Sequence, residues 1–112
     1  MSKLADVNRE AKAAFQTGKS DAAAGLIMKG EAISGRLLSV RNPTLAAMEA
    51  ASDLDQLYGQ MLLANRNYGW ARLQFQKNQA RWKHWQPQTQ ETVSRENQAK
   101  AEIAECDRRM SE

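Results

Sequence analysis

The stretch Tyr58-Gly59-Gln60-Met61-Leu62-Leu63-Ala64-Asn65-Arg66-Asn67-Tyr68-Gly69-Trp70-Ala71-Arg72-Leu73-Gln74-Phe75 decides the fold. Its first part is built from good helix formers and continues an apolar stripe begun by Ala47, Ala51 and Leu54, so a third helix is predicted to end near Ala64. Asn65-Arg66-Asn67 is a tight polar turn, and Asn67 is placed to cap a fourth helix. There Tyr68, Ala71, Phe75, Trp82 and Trp85 recur at helical spacing, until Gln86-Pro87 ends the run. Two helices joined by three polar residues read as an antiparallel hairpin.

Working outward, the same punctuation recurs. Leu4, Val7, Ala11, Ala14 and Phe15 mark a first helix stopped at Gly18. Ser20 is placed to cap a second, whose stripe runs Ala23, Leu26, Ile27, Gly30, Ile33, Leu37 and Val40. Arg41-Asn42-Pro43-Thr44 is the sharpest break, with Asn42 as the expected N-cap and Pro43 in the first turn of the third helix. A fifth helix is expected from about Thr89 to Met110, highly charged, with Val93, Ala99, Ile103, Cys106 and Met110 as a thin apolar edge. Met28, Met48 and Met61 read as core filler. No alternating Val/Ile/Thr run competes with helix. The expectation is an all-α chain of about five antiparallel helices in one domain, residues 1–112. A first helical hairpin would span 1–41, a second 42–86, and a charged C-terminal helix 87–112.

Small residues recur in a similar pattern at two places in the chain. Ala11, Ala14, Gly18 and Ala23, with Gly30 beyond, and again Gly59, Leu62, Tyr68, Ala71 and Phe75, resemble the packing positions of the tetratricopeptide repeat. In that family small residues on the first helix of a hairpin let the second cross closely. The two copies are offset by 48 residues (Ala23 to Ala71) rather than the family's 34. Asp55 stands where the family prefers tryptophan, and no proline closes either repeat at the usual place. The alternative is a helical bundle of another kind. The resemblance implies a scaffold that binds proteins or peptides through a helical groove, with a polar last helix capping the stack. By the same resemblance, Asn65, Arg66, Arg72 and Asn78 are candidates to hold a peptide backbone or carboxylate. Two repeats bury little by themselves, so a homodimer or a parent assembly is expected.

Composition bounds the chemistry. A hydrophobic content of 42% with 26% charged residues suits a globular chain. Cys106 and His84 are the only cysteine and histidine, which leaves no intrachain disulfide, thiolate cage or histidine pair. Neither a catalytic set, a metal site nor a cofactor motif is recognisable, no small-molecule substrate is evident, and the reading is non-enzymatic. His84, between tryptophans, has no nucleophile or orienting group nearby. Cys106 near Arg108 and Arg109 would have a lowered pKa were it not for Glu105 and Asp107, and reads as an apolar contact. An intermolecular disulfide is its minor alternative. No stretch reaches the length of a membrane helix. A native Met1 implies a cytoplasmic protein, whereas removal of a signal peptide ahead of this sequence leaves an exported domain open.

The net charge is only +3, but its distribution is uneven. From Gln56 through Gln90 there is no aspartate or glutamate, while Arg66, Arg72, Lys77, Arg81 and Lys83 are present and His84 adds charge at lower pH. The simplest reading makes the tryptophans core and the cations a solvated face. A second lets the basic, tryptophan-containing fourth helix bind nucleic acid or an anionic membrane surface through Arg72, Lys77 and Arg81. A third docks it against the chain's own acidic last helix. Asn78 interrupts the aromatic stripe, either as a buried, paired group or at the stripe's rim.

Overall fold

The computed structural model describes residues 2–112 and is all-α. Its helices are α1 (Ser2–Gln16), α2 (Ser20–Leu38), α3 (Leu45–Ala64), α4 (Tyr68–His84) and α5 (Gln90–Met110), with no strand among the described residues. The helices fall into two compact units that divide α3: one ends at Leu57, the other is Tyr58–Glu112.

In the first unit, the predicted stripes of α1 and α2 face inward. Leu4, Val7, Ala11 and Ala14 from α1 and Ala23, Ile27 and Ile33 from α2 are buried, together with Ala47, Ala50, Ala51 and Leu54 from α3. Gly30 lets α2 approach α3: a Cβ built there would lie 2.8 Å from Leu54 Cδ1 and 3.4 Å from Val7 Cγ1. Asn8 Nδ2 donates to Ala50 O at 3.0 Å, tying α1 to α3. Val40, the last residue of the predicted α2 stripe, lies beyond the helix and is exposed. Met28 is a second departure. It is 73% exposed rather than core, because it sits one residue away from the inward position held by Ile27.

In the second unit, Ala71 and Phe75 of α4 and Cys106 of α5 form a fully buried cluster, with Leu62, Leu63 and Ile103 packed against it. Gly59 faces Phe75 so closely that an added Cβ would lie 2.5 Å from ring atom Cε1. The apolar edge of α5 is rotated from the one expected. Thr92, Ala99 and Cys106 are buried, while Val93 and Met110 are about half exposed. Along α5 run the ion pairs Arg95–Glu91 at 3.0 Å, Lys100–Glu96 at 3.4 Å and Arg109–Glu105 at 2.8 Å. Such pairs are spaced for mutual support along an exposed helix.

The α1–α2 and α3–α4 turns are the same turn. Thr17 N donates to Ala13 O at 3.1 Å, Gly18 N to Phe15 O at 3.1 Å, Lys19 N to Ala14 O at 2.8 Å and Ala23 N to Lys19 O at 2.9 Å. Asn65 N to Met61 O at 3.1 Å, Arg66 N to Leu63 O at 3.0 Å, Asn67 N to Leu62 O at 2.8 Å and Ala71 N to Asn67 O at 2.9 Å repeat this bond for bond. Each bond in the second turn lies 48 residues after its counterpart. The residue in the left-handed region is Gly18 (φ 77°) in one turn and Arg66 (φ 64°) in the other. The pattern is a Schellman ending whose last residue starts the next helix. Lys19 and Asn67 hold that N-cap position with no side-chain cap bond, so Ser20 is a first-turn residue and Asn67 caps through its backbone only.

The second type of break also recurs. Thr44, not Asn42, caps α3: its hydroxyl accepts from Ala47 N at 3.1 Å, and Pro43 lies outside the helix. The backbone explains this, since a proline pushes the residue before it away from helix and a threonine hydroxyl reaches the third amide. Before α5, Thr89 accepts from Thr92 N at 3.2 Å while Thr92 Oγ1 accepts from Thr89 N at 2.9 Å, a capping box closed by two threonines. Gln88 Nε2 donates to Trp82 O at 2.8 Å, satisfying a carbonyl at the end of α4. Thr89→Ala is expected to lower stability by about 1–2 kcal/mol and Thr44→Ala by about 1 kcal/mol, read as shifts of the urea midpoint.

Candidate functional site

Helix α4 carries most of the residues singled out in the sequence, and its geometry sorts them. At 100° per residue, Ala71, Phe75, Asn78 and Trp82 share its buried side. Trp82 is fully buried. The Arg95 guanidinium carbon of α5 lies 5.4 Å from the centroid of its ring, and Trp85 meets it edge-on with centroids 6.4 Å apart. Asn78 is also buried, not at the rim, and its Oδ1 accepts a bond from Arg81 Nη1. A buried amide held this way is satisfied rather than costly.

Arg72 points to the opposite side of α4 from Arg81, since nine residues rotate the helix by about 180°. Its Nε donates to Asp107 Oδ1 of α5 at 2.7 Å. The bond to Asp107 raises its pKa further above the ordinary arginine value. This ion pair joins the basic helix to the acidic last one. Lys77 is exposed, and its Nζ donates to Gln74 Oε1 at 3.0 Å. Asn65 and Arg66 are exposed in the α3–α4 turn, with Arg66 in the left-handed position. Thus Asn78 and Arg81 are brought together. Arg72 is turned away from them towards α5, and Asn65 and Arg66 stand on the turn ahead of α4.

The three tryptophans do not share one role. Trp82 is core and Trp85 is half-buried, but Trp70 is 66% exposed and Leu73, one turn on, is 47% exposed. Reading every tryptophan as core therefore fails for Trp70, which lies about 120° around the helix from Trp82. His84 is exposed at the end of α4. Among the described residues no group of three or more His, Cys, Asp or Glu is placed to hold a metal ion, and no helix is long and apolar enough to cross a membrane.

Cys106 lies fully buried in the α4–α5 core. Burial pushes its thiol pKa up, and the Asp107 and Glu102 carboxylates add to this against the opposing Arg72. The neutral thiol is the form that fits. Its contribution to stability is complete below the ordinary thiol pKa of about 8.5 and is lost as pH rises above it, because the unfolded thiol ionises first. Iodoacetamide at pH 8 is expected to modify the native protein at least ~100-fold more slowly than the urea-unfolded chain, as followed by mass. Between pH 8 and 10 the native protein should lose stability relative to Cys106→Ala.

No family model, no curated protein and no solved structure matches the chain. Among the described residues it is an all-α protein of five helices.

Proposed function

We propose that the protein is a non-enzymatic interaction module, a tetratricopeptide-like pair of helical hairpins that presents helix surfaces to a peptide or partner protein. The observation that carries this reading is the repeated hairpin turn, bond for bond at 48 residues, with small residues set against large ones where helices cross (Gly30 on Leu54, Gly59 on Phe75). Repeated hairpins of this kind are scaffolds whose exposed helix faces are free to vary for recognition. The ion pairs Lys100–Glu96 and Arg109–Glu105 along α5 suit a solvating last helix.

Binding of nucleic acid or an anionic membrane through Arg72, Lys77 and Arg81 is less well supported. Arg72 is engaged by Asp107 and Arg81 by Asn78, and the two guanidinium groups leave opposite sides of the helix. A phosphate-binding face would gather them on one side.

Selection of randomised twelve-residue peptides on the immobilised protein tests the reading. A convergent consensus, bound by the folded protein and not by the urea-unfolded chain, is expected. Repeated selections without convergence would remove it. Light scattering would show whether a second copy is itself the partner.

A further inference from the structure

The geometry points to the outer face of α4 as a docking surface for a short acidic, partly apolar segment of another protein. This assignment rests on the interaction-module reading and names its surface and the chemistry of its partner. Turned away from the buried stripe, Trp70, Leu73, Lys77, Ala80 and His84 follow one another along a single exposed line of the helix. Trp70 and Leu73 are one turn apart and are the large apolar side chains of α4 that the core does not take. A lone exposed leucine says little, but an exposed tryptophan with a leucine beside it is the composition of an interface anchor.

The charge around this pair gives the sign of the partner. Arg66 stands on the turn just before α4 and Lys77 one turn beyond Leu73, both exposed, whereas Lys83, about 120° around the helix from Lys77, lies off this face. No carboxylate occurs in the sequence between Gln56 and Gln90. An apposed segment therefore meets cations at both ends of an apolar centre, and acidic side chains flanking one or two apolar ones complement it. Trp70 to Lys77 spans about 10 Å of helix, which two helical turns or three to four extended residues would cover.

The same dimensions argue for a peptide over a lipid surface. A helix lying in a bilayer interface needs an apolar face along its length, whereas here that face is one turn long before Lys77 interrupts it.

The test uses the full chain and a fluorescein-labelled twelve-residue peptide of Glu and Asp with two leucines at i and i+3, read by anisotropy. Its Lys-for-acid counterpart, phosphatidylserine vesicles and single-stranded RNA serve as competing probes. Saturable binding of the acidic peptide is expected, weakened ~10-fold or more in a Trp70→Ala/Leu73→Ala variant and several-fold in Arg66→Gln/Lys77→Gln. Both variants change exposed positions, and circular dichroism with a thermal melt confirms that they fold. Unchanged affinity in folded Trp70→Ala/Leu73→Ala would overturn the surface while leaving the interaction reading intact. A peptide consensus from the selection that is basic or uncharged would overturn the partner's chemistry in the same way. Trp70-dependent binding of vesicles or RNA in preference to the peptide would overturn both the proposed occupant and the peptide reading of this face.

Discussion

Trp82→Ala is expected to destabilise the protein by about 3–5 kcal/mol, the largest effect of any single truncation. Trp82 is fully buried, so the substitution removes a bicyclic side chain and leaves a cavity that neighbours can only partly fill. Two further contacts go with it: the Arg95 guanidinium stacked on the ring and the edge of Trp85 against it. Arg95 is thereby left beside a void rather than an aromatic face. Since domains of this size are stable by about 5–15 kcal/mol, this loss removes a third or more of the total for all but the most stable of them, and it should lower the urea midpoint accordingly. Trp82→Phe keeps an aromatic face for Arg95 and should lose markedly less. Trp70→Ala is the control, expected to lie within about 0.5 kcal/mol of the parent because its ring is exposed. Urea titrations of the three variants, followed by circular dichroism, make the comparison. Equal losses for Trp70→Ala and Trp82→Ala would contradict the packing described for α4.

Gly59→Ala has the next largest expected effect, and its sign runs against helix propensity. In an open helical position, alanine for glycine stabilises by about 0.4–1 kcal/mol. At Gly59 the new methyl would lie 2.5 and 2.7 Å from Cε1 and Cζ of Phe75, a ring that is itself fully buried. A rigid ring at that distance must move, and the net loss should be about 1–3 kcal/mol. The same substitution at Gly69, with nothing within 4 Å of the added carbon, should stabilise instead. Gly30→Ala falls between them, because its nearest neighbour is the end of the flexible Leu54 side chain. Phe75→Leu should relieve Gly59→Ala in the double variant, giving a coupling of about 1–2 kcal/mol. Additive losses would mean that Gly59 and Phe75 do not set the α3–α4 crossing distance.

Much of this architecture was legible because helical periodicity is a local signal. The inward stripe of α4 can be read from Ala71, Phe75 and Trp82, and the same spacing places Trp70 off it. The five helices could be read in the same way. The caps were less legible. Asn42-Pro43 has the form of a helix start, but the backbone begins α3 two residues later, where the Thr44 hydroxyl reaches an amide. Val93 was expected inside where Thr92 lies, since a capping threonine that bonds its partner's backbone can be buried like an apolar residue. The partners of Arg72 and Trp82 lay beyond sequence reading. Asp107 is 35 residues from Arg72, and no periodicity selects it over the other acids of α5. Arg66 at a left-handed position gave no signal of its own until its turn was compared with that of Gly18.

On the proposed reading, recognition uses the outer face of α4 while its inner face holds the core. The indole N–H resonances of Trp70, Trp82 and Trp85, recorded while the acidic peptide is added, test it most directly. The Trp70 signal is expected to move progressively and saturate, with Trp82 unmoved. Saturable movement of Trp82 or Trp85 with Trp70 unchanged would contradict it.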